Sequence, residues 1–231
     1  DLHNYCRRFM NNEHTLIGNN GLTIEDLASF WQAIAKEFST FKNIYGYGLM
    51  NEPHDLAPET KWFDMAQASI NAIREVDTNT LIMVGGNDWS SAERWIEQSD
   101  TLKFLKDPAN NLAFEAHVYF DKDASGTYKY SYEEEECYPE KGIDRVKPFV
   151  EWIKQNKFHG FIGEYGIPDN DPRWNETLDL FLGYLQENGI NGTYWAAGPW
   201  WDTYFMAITP KDGKDRPQMP IIEKYTSTLK K

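Results

Sequence analysis

Stretches of helical periodicity alternate with short apolar runs along the chain. From Thr23 to Phe38, the residues Ile24, Leu27, Ala28, Trp31, Ile34, Ala35 and Phe38 recur three and four apart behind a Thr23/Asp26 pair. That spacing predicts a helix opened by a capping box and carrying one buried stripe. Ile44 to Leu49 is short, aromatic and bounded by glycine, and reads as a strand running into Met50-Asn51-Glu52-Pro53. Phe63, Ala66, Ile70 and Ile73 mark the apolar face of a second helix. Thr80 to Val84 then reads as a strand buried on both faces, ending at Gly85-Gly86-Asn87. The alternation continues with a strand over Leu112 to Phe120, a helix over Ile143 to Ile153 and a strand over Phe158 to Gly163. A helix over Leu178 to Leu185, a strand over Gly192 to Ala197 and a last helix over roughly Met219 to Leu229 complete the order.

No break rich in Pro, Gly and Ser interrupts this alternation, which predicts one α/β domain over 1–231 with a mainly parallel sheet. A doubly wound sheet and a barrel both satisfy it. No Gly-x-Gly-x-x-Gly follows a strand and no phosphate-binding loop of the Gly-x-x-x-x-Gly-Lys-Ser/Thr type occurs, which favours the barrel. The 231 residues fit one large domain, although two small domains would also fit by length alone, and 41% hydrophobic residues suffice for a core. With 23 basic and 36 acidic residues the net charge is −13, which repels phosphate backbones and anionic lipid, so neither nucleic acid nor membrane is expected as a partner. No apolar run is long enough to span a bilayer. Cys6 and Cys137 allow at most one bridge. The acidic run Glu133 to Glu136, inside a long Tyr-rich connection, reads as solvated surface.

In parallel α/β folds the chemistry gathers where strands end. Those positions hold His3 and Asn4, Asn51 and Glu52, Asn87 and Trp89, His117 and Tyr119, Glu164 and Tyr165, then Trp195 followed by Trp200 and Trp201. Glu52 and Glu164 are the two carboxylates among them. An opposed pair of carboxylates suits glycoside hydrolysis, in which one protonates the departing oxygen while the other attacks the sugar carbon. The histidines lack the close spacing of a zinc site, and no metal or cofactor is expected. Trp31, Trp62 and Trp152 fall in helical periodicity and belong to the core. Trp89, Trp195, Trp200 and Trp201 follow strands, where an indole face stacks on the apolar face of a sugar, although Trp195 also fits the core.

These residues resemble the cellulases of glycoside hydrolase family 5. Ile44-Tyr45-Gly46-Tyr47-Gly48-Leu49-Met50-Asn51-Glu52-Pro53 is similar to the family signature around its acid/base glutamate. Asp1-Leu2-His3-Asn4-Tyr5, Phe114-Glu115-Ala116-His117-Val118-Tyr119, Gly163-Glu164-Tyr165-Gly166 and Tyr194-Trp195-Ala196-Ala197-Gly198-Pro199-Trp200-Trp201 resemble four further motifs in family order. Asp121-Lys122-Asp123-Ala124-Ser125-Gly126-Thr127 looks most like the bacterial and fungal endoglucanases of the family rather than its mannanases.

The resemblance implies a (β/α)8 TIM barrel and a retaining endo-β-1,4-glucanase acting on cellulose or related β-glucans. It makes Glu52 the acid/base and Glu164 the nucleophile. His117 and Tyr119 would orient the nucleophile, Asn51 would bind the sugar 2-hydroxyl, and His3 and Trp195 would line the same subsite. It also places the His3 motif on the family's third strand, so the chain would cover roughly strands 3 to 8, without the second-strand arginine that the family sets beside its nucleophile. The strand around Leu2 to Tyr5 and the strand around Thr193 to Trp195 would then be open edges that self-associate or take up a complementing chain. A polymeric substrate implies a secreted protein. A non-catalytic glucan-binding barrel and a mannan- or xylan-cleaving relative are the competing readings.

Overall fold

The computed structural model describes residues 1–226. The chain forms two compact units, Asp1–Ala116 with Trp152–Gly160, and His117–Glu151 with the chain from Phe161 onward. Strands β5 (Leu112–Tyr119) and β6 (His159–Gly166) and helix α5 (Lys141–Asn156) each run from one unit into the other.

The first unit opens with a hairpin, β1 (Arg7–Met10) and β2 (Glu13–Leu16), paired antiparallel with Arg7 opposite Leu16 and Met10 opposite Glu13. Asn11 and Asn12 form its two-residue turn with φ of 51° and 63°, the left-handed pair that matches the twist of the strands. Helix α1 (Ile24–Phe38) follows. Thr23 caps it as expected: its hydroxyl accepts from the Asp26 N–H at 3.2 Å, and the Asp26 carboxylate accepts from the Thr23 N–H at 2.8 Å. Leu27, Trp31 and Ala35 are buried, whereas Phe38 at the end of the stripe is exposed beside Phe41.

β3 (Gly46–Gly48) pairs parallel with β4 (Leu81–Gly85), and β4 pairs parallel with the start of β5. Helix α2 (Trp62–Arg74) packs on α1. A short turn α3 (Asn87–Ser90) and α4 (Trp95–Ser99) come after β4. The core of this unit centres on Trp95, Phe114 and Trp152, packed edge to face with centroids 4.9–6.4 Å apart. The Trp31, Trp62 and Trp152 indoles are buried as predicted, and each N–H is satisfied, by Leu49 O, Gly85 O and Asp100 Oδ1. Indole rings fill the space between helix and sheet, and their one polar atom ties a strand end or a helix end in place.

In the second unit β6 pairs parallel with β7 (Asn191–Tyr194), and α6 (Arg173–Glu187) buries Trp174, Leu178, Phe181 and Leu185. Helix α7 (Met219–Tyr225) lies against α6, where the Tyr225 hydroxyl donates to Asp179. The strand order in the sheet is β3-β4-β5-β6-β7.

Three expectations are corrected. The Leu2 to Tyr5 segment is not a strand: Leu2 alone bonds β3 and its extension, donating to Gly48 O and accepting from Asn51 N, before left-handed Tyr5 and Cys6 turn the chain into the hairpin. The last helix ends at Tyr225, and the part of the expected helix beyond 226 lies outside the described residues. The run Glu133 to Glu136 is not all solvated, because Glu135 is buried and accepts the Lys122 and Tyr130 backbone N–H groups at 2.7 Å each. Cys6 and Cys137 are both free thiols; burial pushes the Cys6 thiol up to about 12, partly opposed by Arg7, which leaves it protonated and inert. Among the described residues no helix is long and apolar enough to cross a membrane.

Candidate active site

The first unit carries His3, Asn51, Glu52 and Trp89. Leu49 continues the β3 ladder by donating to Met83 O, and buried Met50 and Asn51 follow it. The Asn51 amide donates to His3 Nε2 at 3.1 Å, and the Tyr5 hydroxyl donates to the same nitrogen at 3.2 Å. His3 Nδ1 lies 3.1 Å from an Asp1 carboxylate oxygen, which accepts only, so the proton sits on Nδ1 and Nε2 is the acceptor. Glu52 is half-buried with a φ of 45°, a left-handed backbone rare for a residue with a β-carbon. Its carbonyl accepts from His54 Nδ1 at 2.8 Å. The His54 ring stacks on Trp89, with centroids 3.3 Å apart and planes at 12°, and Tyr5 lies 6.1 Å from the same indole. Trp89 is 45% exposed, so one indole face is covered by imidazole while the ring stays open to solvent.

The second unit carries His117, Tyr119, Glu164 and the tryptophans after β7. Tyr119 and His117 sit on β5 and Glu164 on β6, all three buried. The Tyr119 hydroxyl donates to Glu164 Oε2 at 2.7 Å, and His117 Nδ1 stands 3.6 Å from that oxygen. A donated O–H favours the charged form of a carboxyl. Beyond β7, the backbone N–H of Trp195 donates to Tyr165 O. A β-carbon on Gly166 would collide with the Trp195 carbonyl, so only glycine lets these strand ends approach. Trp195 is half-buried and meets Trp201 edge to face at 5.0 Å. Trp200 is 90% exposed and, with Trp201, Asp202, Tyr204 and Phe205, lines a cavity of about 450 Å³.

Sequence reasoning missed three residues in these groups: Tyr5, His54 and Tyr204. Burial pushes the Tyr204 hydroxyl up; the hydrogen bond with Trp195 opposes this and the charge of Glu164 adds to it, which groups Tyr204 with Trp195 and Glu164. Its signal was the aromatic spacing Trp200, Trp201, Tyr204, Phe205.

The cellulase family, glycosyl hydrolase family 5, matches residues 1–200. The chain belongs to this family. It is 36% identical over 193 residues to endo-β-1,4-glucanase B of Emericella nidulans, covering 81% of this chain and 56% of that one. The Pseudomonas stutzeri endoglucanase Cel5A in complex with cellobiose superposes with a TM-score of 0.88 at 42% identity, covering 98% of this chain and 66% of that one. XacCel5A in complex with cellopentaose gives 0.84 at 37%, covering 97% and 71%. The chain spans 56–59% of the length of the first curated relatives that it matches. Its alternating strands and helices are thus a part of the (β/α)8 barrel of the family 5 endoglucanases, as the motif order implies.

Proposed function

We propose that the protein is a retaining endo-β-1,4-glucanase that cleaves cellulose or related β-glucans by double displacement on two carboxylates. The observation that carries this reading is the buried Glu164 whose Oε2 accepts the Tyr119 hydroxyl at 2.7 Å, in a chain of this family. Glu164 is the nucleophile. Its oxygen attacks the anomeric carbon while Glu52 protonates the glycosidic oxygen, giving a covalent glycosyl-enzyme and a free chain end. Glu52 then takes a proton from water, the water attacks the anomeric carbon, and Glu164 leaves as carboxylate. Tyr119 holds the attacking oxygen, and Asn51, oriented through His3, offers its amide toward the sugar 2-hydroxyl. The scheme needs no metal or cofactor. Fungal and bacterial endoglucanase relatives, some solved with cellobiose or cellopentaose, support a cello-oligosaccharide occupant. A polymer that does not enter cells implies action outside them. Reducing-sugar release from carboxymethylcellulose, mannan and xylan in parallel tests the assignment. Release mainly from carboxymethylcellulose is expected, and a preference for mannan or xylan would reject it.

Trp200 is proposed as a sugar platform because its indole is open to solvent, whereas the core indole of Trp62 is not. Trp200→Ala is expected to weaken cello-oligosaccharide binding by ~1–2 kcal/mol, roughly five- to thirty-fold in Kd, and to leave the melting temperature in place. Truncating a core tryptophan instead costs about 3–5 kcal/mol of stability. Calorimetric titration beside a thermal melt separates the two, and unchanged Kd would remove Trp200 from the site.

A further inference from the structure

A hydrogen-bonded chain joins the two strand ends that bear Tyr119 and Glu164. The backbone N–H of Phe120, next to Tyr119, donates to the Tyr128 hydroxyl at 2.9 Å. That hydroxyl donates in turn to the carbonyl of Gly166, two residues beyond Glu164, at 2.5 Å. Tyr128 is buried, with its ring edge-to-face at 6.5 Å from Tyr119 and 4.9 Å from Trp174. A phenol that accepts from one strand end and donates to the next fixes their spacing through both of its hydrogen-bonding capacities.

The loop from Asp121 to Tyr128 delivers this phenol. Asp121 is fully buried, and its carboxylate accepts from Ser125 Oγ and from the backbone N–H groups of Gly126, Thr127 and Tyr128 at 3.0–3.2 Å. Winding the loop around one carboxylate forces left-handed backbone at Gly126, φ 73°, and at Tyr128, φ 44°. A β-carbon on Gly126 would stand 3.0 Å from three atoms of the Tyr119 ring, so the bare backbone lies directly against that ring. Arg145 supports the same strand end by donating to the carbonyls of Tyr119 and Lys122.

We propose that Tyr128 is a positioning residue for hydrolysis: its hydroxyl sets the β5 and β6 ends at the spacing at which Tyr119, pressed by Gly126, donates to Glu164. The inference rests on the reading of Glu164 as nucleophile. Misplacing a reacting group by about 1 Å costs up to roughly 10²-fold in rate, so a device that fixes this spacing carries kinetic weight. Tyr128→Phe keeps the ring and removes only the bridging oxygen. Gly126→Ala displaces the Tyr119 ring and leaves the Tyr128 hydroxyl present.

The test is a double-mutant cycle in the full-length protein on 2,4-dinitrophenyl cellobioside, whose leaving group needs no protonation, so the rate reports on the nucleophile. Tyr128→Phe is expected to lower kcat by about tenfold or more with KM within about twofold. Tyr119→Phe alone is expected to lower kcat further. Adding Tyr128→Phe to Tyr119→Phe is expected to cost less than about twofold more, because the hydrogen bond that Tyr128 positions is already gone. Gly126→Ala should show the same coupling to Tyr119→Phe, through the Tyr119 ring rather than the Tyr128 hydroxyl, and a thermal melt of Tyr128→Phe confirms that it is folded before its kcat is read. Losses that multiply, or an unchanged kcat in folded Tyr128→Phe, would overturn the proposal. Glu164→Gln, run alongside, tells the two readings apart: retained activity there overturns the nucleophile assignment, whereas an inactive Glu164→Gln with multiplying losses overturns only the role of Tyr128.

Discussion

Glu164→Gln is expected to abolish β-glucan hydrolysis, with kcat reduced by roughly 10⁴–10⁶-fold, the range lost when a covalent nucleophile is removed. Glutamine has the volume of glutamate, and its amide oxygen still accepts the Tyr119 hydroxyl that now meets Oε2 at 2.7 Å. Folding and oligosaccharide affinity should therefore survive, and the loss is chemical. A neutral amide does not attack the anomeric carbon, so no glycosyl-enzyme forms. Glu52→Gln should behave differently. In its proposed role Glu52 is the proton donor, which matters for a sugar leaving group and far less for a dinitrophenolate, so its loss should be large on carboxymethylcellulose and small on 2,4-dinitrophenyl cellobioside. The first product should keep the anomeric configuration of the substrate, because a nucleophile and acid about 5–5.5 Å apart leave no room for an attacking water, whereas inverting enzymes need about 6.5–9.5 Å. NMR of the first product checks this directly. An inverted anomer would refute double displacement, and equal losses in Glu52→Gln on both substrates would exchange or dismiss the assigned roles.

Most of the fold is legible because buried parallel strands are short apolar runs with glycine or polar residues at their ends. Thr80 to Val84 needs no partner to be read, and the observed β4, Leu81–Gly85, is shifted by one residue at each end. The hairpin β1–β2 escapes such reading. Its strands are RRFM and EHTL, largely exposed, with no apolar alternation, and only the Asn11-Asn12 pair signals the turn. Glu135 escapes for the opposite reason: inside an acidic run it looks solvated, and only the folded loop brings the Lys122 and Tyr130 N–H groups to its carboxylate. The strand-end rule finds Asn51, His117, Tyr119 and Glu164 because each lies on or just past a strand. It does not find His54, Tyr128 or Tyr204, which lie in loops beyond the strand ends and reach their groups through ring contacts and hydrogen bonds that the strand pattern does not encode. Trp89 shows both sides, since its position was readable and its stacking partner His54 was not.

Arg74 is expected to be the most costly single charge to remove in the first unit. Its Nε and Nη2 donate to the two Asp107 oxygens at 2.7 and 3.0 Å, and both side chains are at most 3% exposed. Nη1 donates to the carbonyls of Asp77 and Thr80 at 3.0 and 2.8 Å. One guanidinium at the end of α2 thus ties together the turn entering β4 and the turn entering β5. Arg74→Ala strands a buried carboxylate and several carbonyls, which costs about 3–5 kcal/mol. Salt should alter this little, because a buried bidentate pair is poorly screened. The pair also sets an acid limit. Burial pushes the Asp107 carboxyl up, but the hydrogen bonds from Arg74, Asn111 and Ala109, with the Arg74 charge, outweigh it and hold the group below its ordinary value. The net of burial and the hydrogen bonds from Thr80, Asn79 and Tyr47 lowers Asp77 in the same way. A carboxyl whose folded pKa lies below the unfolded value, about 3.9, contributes stability that is complete above that value and is lost as pH falls through the folded pKa. The melting temperature should therefore fall steeply below about pH 4. Asp107→Asn, which has no proton to gain, should start lower at pH 7 and fall less steeply. Thermal melts from pH 7 to 2.5 on both proteins decide this. Parallel slopes would show that Asp107 does not carry the acid transition, and an Arg74→Ala loss below about 1 kcal/mol would show that the turns hold without the pair.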